Sequence, residues 1–375
     1  MSDKTLFTHD DRTPRSERRA LPATVAETPV TFGAGLDAPP AGPRDTLGRP
    51  LRDLRISVMD RCNFRCPYCM PEDKFHRHFR FLDPGDRLSF AEIVRVARAA
   101  THLGVSKLRI TGGEPLLRPN LADLIAELSQ LEGIKDIALT TNGVLLGQYA
   151  AMLKAAGLDR ITVSLDSLDP DVFAFMSGGR GGVPRVLDGI ETALEADLRP
   201  IKINTVVQRG VNDHTVLDLL ERFRGTDVVV RMIEYMDVGN INHWQHDDMV
   251  PARELVDMID ARWPLEAVKR RHASDVASRY RYADGRGEIG FITSVTEPFC
   301  GACSRARLSS EGKLYSCLFA TEGFDLRAPL REGLGDAGLE ELVGAVWRGR
   351  TDRYSEQRAE GAPRREKIEM YYIGG

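Results

Sequence analysis

A chain of 375 residues, 42% hydrophobic and 28% charged, is long enough to bury one large core or two and needs no disulfide staples. Its net charge of −4 gives no general attraction to nucleic acid or to an anionic membrane, so anionic ligands must be met by local clusters of basic groups. No stretch approaches the roughly 18 apolar residues of a membrane helix. The N-terminus lacks the apolar run of a signal peptide, and Asp3, Asp10, Asp11 and Glu17 among Arg12, Arg15, Arg18 and Arg19 argue against a transit peptide, so a reducing cytoplasmic setting is expected.

Residues 1–48 mix proline with Gly, Asp, Thr and Arg, have no hydrophobic period, and are expected to form a disordered arm. From Leu54 short apolar runs alternate with amphipathic stretches. Leu54–Val58 reads as a strand, and Ser89-Phe-Ala-Glu92 as a capping box that opens a helix to about His102. Further strands are expected at 107–111, 136–139, 160–165, 201–207 and 228–234, with helices near 120–130, 147–156, 185–195 and 213–223. Six strands alternating with helices imply a parallel α/β sheet. They are too few to close an eight-stranded barrel, so an incomplete, three-quarter βα barrel is expected over 49–240. Past residue 240 the alternation stops. Residues 279–282 and 288–293 read as a hairpin, and 241–375 as a smaller region capping the barrel. The run Gly178-Gly179-Arg180-Gly181-Gly182 lacks the Gly-Lys-Ser/Thr ending of a phosphate loop and reads as a flexible connection.

All six cysteines fall into two triplets, Cys62/Cys66/Cys69 and Cys300/Cys303/Cys317. Disulfides need an oxidising compartment that nothing else in the chain suggests. Zinc is an alternative at the first triplet, where His76 or His78 could complete a Cys₃His set. Three thiolates are one short of a closed site, and a four-iron cluster held by three cysteines leaves one iron open to a small molecule. Beside the second triplet, Arg305 and Arg307 would share a face if extended, and Arg55, Arg109 and Lys202 fall on expected strands. Together they offer five cations to one polyanion, guanidinium being suited to phosphate oxygens.

Cys62-Asn-Phe-Arg-Cys66-Pro-Tyr-Cys69 directly after the first strand resembles the radical S-adenosylmethionine (SAM) superfamily. Thr111-Gly-Gly-Glu-Pro115 after the second strand is similar to that superfamily's glycine-rich turn. The resemblance implies a first [4Fe-4S] cluster whose open iron binds SAM, a 5′-deoxyadenosyl radical that abstracts hydrogen from substrate, and SAM contacts at Tyr68, Gly113, Ser164 and Met236. Without it, Met236 reads as core and the glycine turn as a plain strand–helix connection.

The second triplet followed by Arg305-Ala306-Arg307, and the ending Ile373-Gly374-Gly375, narrow the resemblance to the GTP 3′,8-cyclase family of molybdenum cofactor biosynthesis. It covers about residue 48 to the end. It implies a lyase with a second [4Fe-4S] cluster that cyclises GTP to 3′,8-cyclo-7,8-dihydro-GTP. GTP contacts would fall at Arg55, Arg109, Thr140, Lys202, Arg305, Ala306 and Arg307, with catalytic roles for Arg305, Arg307, Gly374 and Gly375. The family also implies a flavodoxin-type electron donor and a downstream cyclic pyranopterin monophosphate synthase, in a monomer or homodimer without nucleic-acid or membrane partners. Alternatives at this level are another radical SAM enzyme with an auxiliary cluster, such as a peptide-modifying maturase, and a non-enzymatic iron–sulfur or zinc protein.

Overall fold

The computed structural model describes residues 42–270, 274–359 and 366–374, and these described residues form one compact unit. The first half alternates as expected: β1 (Asp53–Ser57), α1 (Phe90–His102), β2 (Lys107–Thr111), α2 (Leu121–Ser129), β3 (Asp136–Thr141), α3 (Leu146–Ala155), β4 (Arg160–Ser164), α4 (Pro170–Ser177), α5 (Val183–Glu195), β5 (Ile201–Val207), α6 (Val216–Phe223) and β6 (Val228–Glu234). The capping box at Ser89 and Glu92 is present with both of its hydrogen bonds. Helix α4, absent from the sequence-based expectation, starts on the Asp169 side chain, which accepts from the amides of Asp171 and Val172 ahead of Pro170.

The remainder comprises α7 (Ala252–Arg262), β7 (Leu265–Val268), β8 (Ser278–Tyr282), β9 (Glu288–Ile292), β10 (Arg305–Leu308), β11 (Lys313–Tyr315), β12 (Phe324–Asp325), α8 (Arg327–Arg331), α9 (Asp336–Arg348), α10 (Tyr354–Ala359) and α11 (Met370–Ile373). It does more than cap the barrel. β8 and β9 form the expected hairpin, and β9 then pairs in parallel with β6 while β10 pairs in parallel with β1. The sheet order is β12-β11-β10-β1-β2-β3-β4-β5-β6-β9-β8-β7, an open sheet whose central strands β10, β1–β6 and β9 all run parallel.

Side chains alternate across this sheet. Leu54, Ile56, Leu108, Ile110, Ile161 and Val163 point outward and are almost fully buried in the core beneath the helices. The opposite face carries Arg55, Arg109, Thr140, Thr162 and Asn204 and lines the interior.

The N-terminal boundary differs from expectation. Most of the arm, residues 1–41, lies outside the described residues, but Arg44 bridges to Pro50 and the Asp45 side chain is fully buried. Asp45 accepts from the amides of Leu47 and Arg49 and pairs with the Arg49 guanidinium. Residues 44–48 therefore belong to the folded body. A lone aspartate in a polar sequence gives no sign that its partner will be a buried arginine.

Candidate active site

Strand register decides where charge accumulates. Arg305, Asp53, Lys107 and Asp136 stand side by side on β10, β1, β2 and β3, so cations and carboxylates alternate along that rung. Toward the C-terminal ends of the strands the next rung is Arg307, Arg55, Arg109 and Ala138, three guanidiniums with no carboxylate among them. Burial, then Arg307, Arg109 and Arg305, hold the Arg55 pKa well below its ordinary value. Burial and neighbouring cations likewise push Arg109 and Arg307 to about 10 and Arg231, on β6, to about 9. The field is one that an anion would relieve.

These groups open into a cavity of about 210 Å³ at the C-terminal ends of the parallel strands, where α/β sheets place their sites. Its lining includes Arg55, Arg109, Thr140, Arg231, Arg305 and Arg307 together with Tyr68, Met236, Val238 and Met370. Arg109 Nη1 donates to the hydroxyls of Thr140 and Thr162 at 3.0 and 3.2 Å, which fixes its fork. Arg231 Nε is buried without a hydrogen-bond partner. An orphaned buried donor among like charges points to an anionic ligand.

Cys300, Cys303 and Cys317 also line this cavity. Burial alone would raise the Cys303 pKa, but Arg305 and Arg350 outweigh it and bring it to about 6, with guanidinium nitrogens 3.3–3.4 Å from Sγ. Arg350 also donates to the Cys303 carbonyl at 2.7 Å and lies 3.6 Å from Asp45, whose partner Arg49 donates to the Cys300 carbonyl at 2.9 Å. A buried ion network therefore holds this loop from behind. Cys317 is pushed up to about 12, chiefly by burial and by Asp352.

The first triplet leaves β1 on a tight turn, the amides of Cys69 and Met70 both bonding to the Cys66 carbonyl. None of the six cysteines is in a disulfide. Burial, with Glu114 adding to it, raises Cys62 to about 12; burial and repulsion from neighbouring cysteines hold Cys66 and Cys69 well above the usual range. Such thiols become thiolates only against a multivalent counter-charge, which a metal cluster supplies. Among the described residues no three His, Cys, Asp or Glu side chains converge on a single ion. Cluster thiolates, each bound to its own iron, do not need to meet at one point.

Three elements brace this loop. The amides of Gly113 and Glu114 donate to the carbonyls of Met59 and Arg61, and a Cβ on Gly113 would overlap the Arg61 carbonyl. The buried Glu114 carboxylate, its pKa raised to about 7 by burial, accepts from Thr141, Asn142 and Leu116. The run 178–182 is not the flexible connection its composition suggests. Gly178 (φ 68°) lies against the Arg65 carbonyl and Gly181 (φ 79°) against the Phe64 ring, so positive-φ glycines let α4 and α5 close over the cysteine loop. Finally, Tyr68 Oη donates to Asp166 Oδ2 at 2.7 Å, tying the loop to the end of β4.

The C-terminal segment enters the same interior. Ile373 is fully buried, Tyr371 packs on Phe75 with ring centroids 4.7 Å apart, and the Gly374 carbonyl accepts from Arg307 Nη1. Gly375 lies outside the described residues.

Residues 56–223 match the radical SAM superfamily and residues 228–356 match Molybdenum Cofactor Synthesis C. A GTP 3′,8-cyclase of Xanthomonas campestris pv. campestris (strain 8004) is 52% identical over 332 residues, covering 88% of this chain and 97% of the relative. The chain belongs to the GTP 3′,8-cyclase family. A member from Acidothermus cellulolyticus is 47% identical over 357 residues, covering 88% of this chain and 99% of the relative. The fold is also shared with Streptococcus suis SuiB bound to S-adenosylmethionine, with a TM-score of 0.54 at 16% identity, over 78% of this chain and 68% of that one. As a radical SAM protein, a member of the GTP 3′,8-cyclase family works with SAM and a [4Fe-4S] cluster.

Of the residues singled out in the sequence, Arg55, Tyr68, Arg109, Thr140, Arg305 and Arg307 share the cavity with Met236 and the second triplet. Lys202 does not line it. It lies two residues below Asn204 on β5, half-buried, its pKa held well below the ordinary value by desolvation and by Arg231, Arg160 and Arg109. Ala306 turns its side chain into the outer core, and Ser164 ends β4. Sequence reasoning missed Arg231, Arg350 and Asp166. The alternation along β6, with Arg231 between Val230 and Met232, could have flagged the first as an interior position. Among the described residues no helix is long and apolar enough to cross a membrane.

Proposed function

We propose that this chain is a lyase that converts GTP to 3′,8-cyclo-7,8-dihydro-GTP. The observation that carries this reading is the rung of three uncompensated guanidiniums, Arg307, Arg55 and Arg109, opening into the same cavity as the second cysteine triplet. Cys62, Cys66 and Cys69 would hold the SAM-binding [4Fe-4S] cluster, and Cys300, Cys303 and Cys317 a second one beside the substrate. When bound, SAM and its cluster supply a 5′-deoxyadenosyl radical.

The chain's own groups supply the rest. The rung of guanidiniums, with Arg305 and Arg231, meets the triphosphate, and bidentate contacts fix its direction. Thr140 keeps Arg109 in place through its hydroxyl. Ala306 offers only main chain to the ligand, and the charge of Lys202, disfavoured by the neighbouring arginines, would be restored by an arriving polyanion. Tyr68, Gly113, Ser164 and Met236 form the SAM side, with Tyr68 steadied by Asp166. Val206, Ile233 and Ile292 give the cavity apolar walls that keep water from the reacting carbons. Holding two atoms of one ligand near each other is catalysis by positioning. We read Gly374 and Gly375 as the slender end that completes the substrate side. The folded body would comprise a barrel and a C-terminal region, working in the reducing cytoplasm with a flavodoxin-type donor upstream and cyclic pyranopterin monophosphate synthase downstream.

The test is anaerobic incubation of reconstituted protein with SAM, a chemical reductant and GTP, followed by chromatography and mass spectrometry. The expected result is 5′-deoxyadenosine together with a nucleotide isomeric with GTP. Deoxyadenosine without any cyclised nucleotide would remove GTP as the substrate.

A further inference from the structure

The segment Tyr235–Asn242 that follows β6 faces two ways. Met236 and Val238 line the cavity. Between and after them, Asp237, Gly239 and Asn240 hold the C-terminal segment. The Asn240 side chain grips the Lys367 main chain at both of its hydrogen-bonding groups, Oδ1 accepting from the amide at 2.9 Å and Nδ2 donating to the carbonyl at 2.6 Å. Its own amide donates to Glu369 Oε1 at 2.9 Å. Lys367 Nζ donates to the Asp237 carbonyl at 2.7 Å and pairs with the Asp237 carboxylate, which also accepts from Tyr354 Oη and pairs with Arg358. Gly239 (φ 65°) is bare where Glu369 sits, and a Cβ there would overlap the Glu369 carboxylate. From this hold the chain passes Met370 at the cavity wall and reaches Arg307 through the Gly374 carbonyl.

The loop that makes these contacts is itself stiffened. Asn242 Nδ2 donates to the Met236 carbonyl at 2.9 Å, Tyr235 Oη donates to the Asn242 carbonyl at 3.0 Å, and Trp244 Nε1 donates to the Tyr235 carbonyl at 2.8 Å. A ligand resting on Met236 would therefore restrain the same stiff loop that reads the tail.

We propose that Asn240 and Asp237 are positioning residues that seat the C-terminal segment, and that SAM occupancy at the Met236 wall and seating of that segment are coupled through their shared loop. The SAM half of this rests on the functional reading given above; the seating half does not. Each event restrains part of what the other must order, so the coupling is favourable and reciprocal.

The experiment is amide hydrogen exchange on the full-length, anaerobically reconstituted protein, following residues 366–374 with and without saturating SAM, with SAM affinity measured in parallel by equilibrium dialysis. In the wild type, SAM should slow exchange of the tail. Asn240→Ala removes both bonds to the Lys367 main chain and the Nδ2 bond to Glu369 Oε1 at 3.1 Å. It should therefore speed tail exchange without SAM by roughly 10- to 2,000-fold, the range that three lost hydrogen bonds supply, and should weaken SAM binding by the factor by which SAM protection falls. Exchange in β1–β6 should be unchanged, which separates seating from folding. Lys367→Ala leaves the main-chain grip of Asn240 in place and should keep the SAM response. Wild-type tail exchange in Asn240→Ala overturns the seating role. Faster exchange with undiminished SAM protection overturns the coupling alone. A wild type that does not bind SAM overturns the reading of the Met236 wall, and the coupling with it.

Discussion

The sharpest prediction concerns Gly374→Ala. At φ 75° the residue sits in the left-handed region, which costs a residue with a Cβ about 1–2 kcal/mol. The added Cβ would also overlap Thr111 Cγ2, and Thr111 is β-branched at the end of a central strand, with little freedom to rotate away. Overpacking of this kind costs about 1–3 kcal/mol. The two penalties, about 2–5 kcal/mol together, oppose a seated end whose carbonyl accepts from Arg307. The seated fraction should fall by roughly 30- to several-thousand-fold relative to the free one. In turnover assays with product and deoxyadenosine counted separately, GTP cyclisation should drop sharply while iron content and melting temperature hold. Thr111→Ser removes only Cγ2, and the remaining contacts to Cβ and Oγ1, each 3.3 Å away, are tight but tolerable. The double variant should therefore recover the overlap part and leave the φ penalty. Full turnover by Gly374→Ala would refute the seated-tail argument, and no recovery in the double variant would refute the division into two penalties.

Arg307→Ala should weaken GTP binding by about 1.5–3 kcal/mol, the scale of a charge-assisted hydrogen bond, with Lys restoring only part of it because the fork is lost; unchanged affinity by calorimetry would count against the phosphate assignment. Cys66→Ala should abolish deoxyadenosine formation, whereas Cys303→Ala should retain uncoupled SAM cleavage and lose cyclisation; equal loss in both would speak against two separate sites. Arg350→Ala removes donors to the Cys303 carbonyl and sulfur, so iron retained per chain should fall while SAM cleavage survives, and full iron retention would show that the network behind the loop is dispensable. Inorganic triphosphate alone should raise the melting temperature by relieving the rung of guanidiniums, by about 2.7 kcal/mol of stability at a hundredfold excess over its dissociation constant; no shift would mean that the rung does not bind phosphate.

The parts legible in the sequence were those fixed by local pattern. Strands 107–111, 201–207 and 228–234 have the expected limits because short apolar runs bounded by turns leave few alternatives, and the capping box set the start of α1. The cysteine spacing and the Arg305-Ala-Arg307 alternation placed chemistry on one face for the same reason. Long-range pairing was not legible. The Asp45–Arg350 contact joins residues about three hundred positions apart, and no periodicity encodes it. Arg231 was passed over because one charge in the apolar run of β6 looks like a surface residue until the strand is known to lie inside a sheet with both neighbours paired. The run 178–182 misled for a different reason. Glycine signals freedom in composition, but here positive φ and the absence of Cβ serve close packing against Phe64 and Arg65.

One consequence follows from the pairing of β1 with β10. What fixes this register is largely the outer face, where Leu54 aligns with Ala306 and Ile56 with Leu308, all buried against helices. Ser304 adds a hydrogen bond from its hydroxyl to Asp53 at 2.6 Å, and its carbonyl accepts from the amides of Arg52 and Asp53. A slip of one residue would turn Arg305 and Arg307 outward and bury their neighbours' apolar side chains in the polar interior. The apolar packing of the outer face thus dictates which cations meet inside, although no charged group takes part in that packing. The interior is free to hold three guanidiniums in one rung because the outer face carries the stability. It follows that trimming the outer contacts, for example by Leu308→Ala, should lower stability by about 2–5 kcal/mol and loosen the substrate site without touching any residue in it.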